Sequence, residues 1–332
     1  MKVVFTICSN NYLAQASVLV RSIKKNLPGY KVFIGLVDEI SLAVDYNLID
    51  ADEIIPISEL NQYNIQDIVD KYNIIELNTA VKPFFFQFFI SRYSDVESIY
   101  YFDPDTKLYS VLDGTDTILQ TNGIVLTPHI CTPIEIDEFF PKESTFLNYG
   151  IYNLGFIGVN PKHESVLPFL KWWGDRTFQS GYDDVCNGLF VDQLWINLVP
   201  ILFKGVVILN DKGMNMAPWN LHEREISLID NNKVLLKTGE ELRFYHFSSY
   251  NYKLPQQLSK HYDRYNFYNT GSLIDLYKEY HEELISNGIE KYVTIKCAYI
   301  KPPNIVIVPL PPPPTLVSRA KGKLKRMLGI ID

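Results

Sequence analysis

The run Ile99-Tyr100-Tyr101-Phe102-Asp103-Pro104-Asp105-Thr106 sets the tightest condition on what this chain can fold into. β-Branched and aromatic residues fill it, and it stops abruptly at two carboxylates spaced i, i+2. That is the pattern of a buried strand opening onto a polar edge. In an open α/β sheet, ligands bind outside the carboxyl ends of the strands, so Asp103 and Asp105 would stand at a binding edge. Two oxygen-bearing side chains there suit a hard divalent cation, Mn²⁺ or Mg²⁺, holding a diphosphate. The alternative is an Asp-Pro-Asp turn that simply closes a strand.

The rest of the chain supplies such a sheet. Residues 2–8 form a first buried strand, followed by a turn and cap signal at Ser9-Asn10-Asn11. Residues 12–26 carry Leu13, Ala16, Leu19, Val20 and Ile23 at helical spacing, and Pro28-Gly29 ends the helix. Strands are expected at 31–37 and 53–57, the former ending at Asp38. A Phe-rich, buried helix is expected at 78–93. Downstream, strands are expected at 123–126, 154–159, 206–209 and 241–247, with helices at 164–173, 191–203 and 272–286. This β-α-β-α rhythm predicts an α/β fold, a mainly parallel central sheet flanked by helices. The expected division is a catalytic domain over 1–255, a helical C-terminal extension over 256–300, a proline-rich linker over 301–314 and a basic tail over 315–332.

Composition narrows the function. The chain has 332 residues, 47% of them hydrophobic, ample for a sizeable core. Its 31 Lys and Arg against 38 Asp and Glu give a net charge of −7, which disfavours a nucleic-acid partner. Cys8, Cys131, Cys186 and Cys297 lack CxxC spacing, against a zinc site or a disulfide framework, and fit a reducing cytoplasm. No apolar run suits a signal peptide or a transmembrane helix. The tail differs from the rest of the chain. Leu316, Ala320, Leu324, Met327, Leu328 and Ile331 recur at helical spacing, with Arg319, Lys321, Lys323, Lys325 and Arg326 among them. A basic amphipathic helix of this kind would lie reversibly on an anionic membrane surface, making the protein peripheral on the inner face of the cell membrane. A solvated or oligomer-contacting tail is the alternative.

Further residues gather around the same expected edge. Thr6, Asn10 and Asp38 follow the first two strands. Lys82 lies near a helix start, where its charge could neutralise a phosphate. Gly155 and Gly158 permit close approach of backbone or ligand. Asp192-Gln193 opens an apolar stretch, as a cap or as a pair of polar groups facing a pocket. His246 ends a strand; it is either a satisfied core histidine or a third ligand beside the two aspartates.

Taken in order, Ser9-Asn10-Asn11-Tyr12, Phe102-Asp103-Pro104-Asp105, Tyr152-Asn153-Leu154-Gly155, Asp192-Gln193 and His246-Phe247 resemble bacterial GT-A-fold glycosyltransferases. The resemblance is to those similar to family 8, the glycogenin and lipopolysaccharide galactosyltransferase group, and it covers roughly residues 1–255. The stretches Val191-Asp192-Gln193-Leu194-Trp195 and Met216-Ala217-Pro218-Trp219-Asn220-Leu221 also look like bacterial polysaccharide-assembly transferases. The resemblance implies a GT-A (Rossmann-like) fold and transfer of a sugar from a UDP-sugar to a glycan or glycolipid acceptor, with retention. It implies that Asp103 contacts ribose and metal, and that Asp105 and His246 complete the metal site. Thr6, Asn10 and Asp38 would surround the uridine, and Lys82 would approach the diphosphate or the sugar. Asn153, Asp192 and Gln193 would line the donor-sugar pocket, with Gln193 or Asp192 facing the anomeric carbon. Trp219, Asn220 and His222 would form an acceptor shelf, or Trp219 is plain core. One departure stands out: the family's Gly and Lys three and six positions after the histidine are Ser249 and Tyr252 here, with Lys253 one residue late.

Two other readings compete. A catalytically silent scaffold module in a polysaccharide-assembly complex would bind partners through the tail and turn over no donor. A nucleotidyltransferase would need a glycine-rich, basic loop after the first strand, and Ser9-Asn10-Asn11 is neither.

Overall fold

The computed structural model describes residues 1–60, 64–230 and 233–300. The expected linker (301–314) and membrane-binding tail (315–332) lie outside the described residues. Residues 1–300 form one compact unit.

In chain order the elements begin with β1 (Lys2–Cys8), α1 (Leu13–Asn26), β2 (Tyr30–Leu36), β3 (Glu53–Pro56), α2 (Ile65–Val69), α3 (Ile74–Ala80), α4 (Lys82–Arg92) and β4 (Ser98–Phe102). Next come β5 (Thr106–Leu108), α5 (Asp113–Leu119), β6 (Ile124–Pro128), α6 (Glu143–Tyr149), β7 (Tyr152–Val159), α7 (Val166–Ser180), β8 (Asp183–Asp184) and β9 (Leu189–Phe190). The last are α8 (Val199–Leu202), β10 (Val206–Ile208), β11 (Ile226–Asp230), β12 (Lys233–Leu236), β13 (Phe244–His246), α9 (Leu273–Ser286) and α10 (Ile289–Tyr292).

Seven strands form the central sheet in the order β10-β6-β7-β4-β1-β2-β3. All pairings are parallel except those of β7, which runs antiparallel to both β4 and β6. The fold class is therefore the one expected, a mainly parallel sheet between helical layers. The carboxyl ends of β1, β2 and β4 share one edge with the amino end of β7, so Asn10, Asp38, Asp103 and Asn153 come from one side of the sheet.

The alternation along β1 builds both layers. Val3, Phe5 and Ile7 face a core that includes Phe85, Phe86 and Phe89 of α4 and Trp173 of α7. Val4 and Cys8 face the other, with Leu13, Leu19 and Ile23 of α1 and Leu276, Tyr277 and Tyr280 of α9. Each fully buried ring contributes about 2–3 kcal/mol by leaving water. Gly35 shows how closely the first layer sits, since a Cβ there would meet the Phe85 ring at 2.6 Å. Helix α9 belongs to the core of this unit: Phe247, just after β13, stacks on Tyr280 at 3.8 Å and 4°.

Two expected helices are divided. The helix expected at 78–93 starts earlier and breaks at Val81. Asn73 caps α3 reciprocally with Glu76, and Pro83 opens α4, where its missing N–H costs nothing. The break puts Lys82 on the first residue of a buried helix. The helix expected at 191–203 is instead a 3₁₀ turn (Leu194–Leu198) running into the short α8. Pro200 lies in the first turn of α8. Before the turn, Val191 adopts φ 42°, a left-handed conformation that a β-branched residue holds only under constraint. The strand expected at 241–247 shortens to β13.

Candidate active site

The turn after β4 and the pairing of β13 create the centre of the site. Thr106 donates from both its N–H and its hydroxyl to the Asp103 carbonyl, at 3.1 and 2.7 Å, folding the Asp-Pro-Asp segment back into β5. Strand β13 pairs antiparallel with β5, with His246 opposite Thr106. The Phe247 N–H donates to the Asp105 carbonyl at 2.8 Å. His246 is thereby held beside Asp105 from 141 positions away in sequence. Its Nε2 lies 3.1 Å from Asp105 Oδ1 and 3.8 Å from Asp103 Oδ2. One ligand atom from each of the three residues falls within a mutual span of 4.8 Å, the one such group among the described residues. Two carboxylates and an imidazole form a hard donor set suited to Mn²⁺ or Mg²⁺. The clustering of acids, with both carboxylates partly open to the cleft, fits a cation there.

The charges of the cluster act strongly on one another. Burial alone would lower the His246 pKa, but the Asp105 and Asp103 charges more than offset it and leave it raised. Burial would raise Asp105, and His246 holds it below the usual carboxylate range. Lys82, with a side chain 3% exposed, stands 3.1 Å from Asp192 Oδ2 and 3.5 Å from Asp103 Oδ1. It also donates to the Leu154 carbonyl at 3.2 Å and lies 4.6 Å from the Tyr101 ring centre. Burial lowers this ammonium's pKa, and the two carboxylates return it to above its usual value. Its partner behaves differently: burial pushes Asp192 up to about 6 despite Lys82. The asymmetry has a physical cause, because one ammonium serves two acids while Asp192 is also repelled by Asp103.

These groups line a cleft of about 980 Å³, with Lys82, Asp103, Asp105, Asn153, Asp192, Gln193, Trp219 and His246 on its walls. Asn153 accepts from the Gly155 N–H and from Asn215 Nδ2, both at 2.9 Å. Gln193 is occupied at both ends, accepting from the Leu154 N–H at 2.9 Å and donating to the Tyr149 carbonyl at 2.8 Å. It fixes the wall while the adjacent Asp192 carboxylate faces Lys82. A smaller hollow of about 380 Å³ between α1 and α9 contains none of these residues.

The residues expected around a base are not at the cleft surface. Thr6, Asn10 and Asp38 are each 1% exposed. The Asp38 carboxylate accepts from the N–H groups of Asn10, Glu39 and Ala298 at 3.1, 2.9 and 2.8 Å. Asn10 is bonded to the Glu39 carbonyl and to Tyr46. The 3₁₀ turn Asn10–Tyr12 turns the first Asn inward and leaves Asn11 half-buried and Tyr12 exposed. Although 38% exposed, Tyr12 is packed closely enough for desolvation first, and the Asp105 and Asp103 charges next, to raise its pKa. Of the expected acceptor shelf, Trp219 lines the cleft, with its ring 5.2 Å from that of His246. Asn220 is wholly buried, bonded to the His129 and Asn215 carbonyls and to the Ala217 N–H. His222 bonds to the Thr132 carbonyl at 3.1 Å and is not among the lining residues. Neither forms a shelf.

Sequence reasoning missed His129, Phe140, Tyr149, Lys260, His261 and Tyr262, all on the cleft walls. Tyr149 ends α6, and the other five sit on loops without periodicity. His129 is buried, which drives its pKa down to about 3. Its Nε2 therefore accepts from Asn153 Nδ2 at 3.1 Å as a neutral imidazole.

No family model matches the chain. Two uncharacterized proteins of Bacillus subtilis (strain 168) are similar to it. YfnF is 25% identical over 256 residues, covering 74% of this chain and 80% of its own. YfnD is 23% identical over 257 residues, covering 74% and 76%. Similar solved structures are glycosyltransferases. The galactosyltransferase LgtC, in complex with donor and acceptor sugar analogs, has a TM-score of 0.48 at 18% identity, covering 85% of this chain and 95% of that one. The bifunctional glycosyltransferase WbbM has a TM-score of 0.49 at 13% identity, covering 88% and 50%. GlyE of Streptococcus pneumoniae TIGR4 has a TM-score of 0.46 at 13% identity, covering 88% and 64%. Among the described residues, no helix is long and apolar enough to cross a membrane.

Proposed function

We propose that this chain is a metal-dependent glycosyltransferase that moves a sugar from a UDP-sugar to a hydroxyl of a cell-surface glycan or glycolipid, with retention of configuration. The observation that carries this reading is the Asp103–Asp105–His246 cluster within 4.8 Å, in one cleft with the buried Lys82–Asp192 pair. Asp103, Asp105 and His246 would hold a Mn²⁺ or Mg²⁺, which would supply Lewis acidity at the departing diphosphate. Lys82 adds a fixed positive charge, already desolvated, on the leaving-group side. As the sugar–phosphate bond breaks, positive character grows at the anomeric carbon, and the Asp192 carboxylate stabilises it. With a pKa of about 6, Asp192 is ionised at neutral pH and ready for that role. Gln193 acts as a positioning residue, because both ends of its amide are bonded to backbone. The acceptor hydroxyl passes its proton to the departing diphosphate oxygen as the new glycosidic bond forms. Tyr12 and Asn11, on the open side of the edge, are the residues available to the base.

Calorimetry with UDP tests the reading. Binding in Mn²⁺ that disappears in EDTA and in Asp105→Ala supports it. Metal-independent binding, no binding at all, or full donor turnover by folded Asp105→Ala sinks it. Lack of turnover with any donor would return the scaffold reading.

A further inference from the structure

Beyond the catalytic floor, two loops far apart in sequence are locked into a single wall. Arg264, with a side chain 8% exposed, grips Asp137 through two bonds, Nη1 to Oδ2 at 2.6 Å and Nη2 to Oδ1 at 2.7 Å. Its Nη2 also donates to the Phe139 and Pro141 carbonyls at 3.2 and 3.3 Å. The backbones join as well. Phe140 N–H donates to Asp263 Oδ1 at 2.7 Å, and the Arg264 N–H donates to the Phe140 carbonyl at 3.1 Å. A bidentate guanidinium–carboxylate pair fixes orientation as well as distance. This wall is therefore built before any ligand arrives, and it carries Phe140, Lys260, His261 and Tyr262 into the cleft.

The wall differs chemically from the floor. Trp219 touches both, its ring 5.2 Å from that of His246 and 6.4 Å from that of Tyr262. Phe140, half exposed, and Tyr262 offer apolar ring surface of the kind that packs against the C–H face of a sugar. The acids of the wall are engaged, Asp137 by Arg264 and Asp263 by the Phe140 N–H. Lys260 and His261 are exposed at the rim, and neither has an ion-pair partner among the described residues. In a chain of net charge −7, an unpaired ammonium at the mouth of a cleft attracts an anion.

We infer that this outer half of the cleft is an acceptor subsite for a sugar ring bearing an acidic substituent, with the ring on Phe140 and Tyr262 and the acid at Lys260 and His261. The inference rests on the glycosyltransferase reading for the word acceptor, and names the acceptor's chemical class. Arg264 acts through the loops it joins, as a positioning residue.

The test uses the full chain with UDP and Mn²⁺ present. Saturation-transfer NMR measures the affinities of p-nitrophenyl β-glucuronide and p-nitrophenyl β-glucoside, which differ only in the acid. The wild type is expected to prefer the charged probe by about fivefold, the scale of one exposed ion pair. Lys260→Gln brings the ratio towards one and Lys260→Arg keeps it. Phe140→Ala weakens both probes alike. A wild-type ratio near one, or a ratio that survives Lys260→Gln, overturns the inference. So does a Lys260→Gln variant whose loss falls on UDP affinity, since the cation would then serve the donor diphosphate. If the wild type discriminates the probes yet binds no UDP in Mn²⁺, the glycan subsite stands and the transferase reading falls.

Discussion

Replacing Lys82 by Met removes one buried charge and keeps most of the side-chain volume, so its effect can be worked out from Asp192. In the wild type the Asp192 pKa is about 6, against an ordinary aspartate value of 3.8. At pH 7.5 the ionised folded form therefore costs about 3 kcal/mol relative to the unfolded chain, at 1.36 kcal/mol per unit. Without Lys82 the folded carboxylate takes up a proton, and the cost is capped at protonation, about 5 kcal/mol at pH 7.5 from the same conversion. The electrostatic penalty of the substitution is the difference, about 2 kcal/mol. Losing the bond to the Leu154 carbonyl and the contact with the Tyr101 ring adds about 1–2 kcal/mol that does not depend on pH. The sign follows from a raised carboxylate pKa. The folded state binds the proton more tightly than the unfolded state, so stability rises as pH falls, and the variant gains from pH 7.5 downward while the wild type stays level until about pH 6. Urea unfolding in EDTA should show a deficit of about 3–4 kcal/mol at pH 7.5, narrowing to about 1–2 kcal/mol at pH 6. A deficit equal at both pH values would refute the assignment of Asp192 as the acid that Lys82 keeps ionised.

Three further outcomes are expected. Gly155→Ala places a Cβ 2.5 Å from His246 Nδ1 and 2.7 Å from Asn153 Oδ1, so His246 must shift. Calorimetric Mn²⁺ affinity should fall by about tenfold or more with about 1–3 kcal/mol of stability lost, and unchanged metal affinity would count against His246 as a ligand. Tyr280→Ala deletes a ring that is 1% exposed and stacked on Phe247, and should cost about 3–5 kcal/mol in urea unfolding. His129, with its pKa depressed to about 3, should keep a neutral ring through pH 5–8 in an NMR titration. Because the unfolded chain takes up that proton first, wild-type stability should decline as pH falls below about 6.5, the ordinary histidine value.

What could be read in the sequence was whatever a short stretch determines by itself. Lys2–Cys8 is a strand because seven residues alternate into two cores, and Asp103 and Asp105 end a strand because the apolar run stops there. His246 was legible from its residues only as the end of an aromatic strand, as a core histidine or as a ligand; its place beside the two acids came from the family resemblance. The division of residues 78–93 was also written locally, in Pro83 and in the Asn73–Glu76 cap, but a helical run of phenylalanines outweighed it. Other features depend on long-range pairing, which no periodicity announces. Whether Asn10 or Asn11 is turned inward is decided by one 3₁₀ turn and by Asp38, 28 residues on, taking the Asn10 N–H. Val191 holds φ 42° where a helix was expected, and that conformation gains nothing locally. The constraint is tertiary: Trp173 Nε1 donates to the Asp192 carbonyl at 3.1 Å, the Val191 N–H donates to the Tyr182 carbonyl at 2.9 Å, and Gln193 is tied to Tyr149 and Leu154. The aromatic wall is the extreme case. Phe140 and Tyr262 lie in loops, and only the grip of Arg264 on Asp137, across 127 residues, brings them together. A strand end can announce a carboxylate pair, but a wall made by one buried guanidinium becomes legible only once the two loops have met.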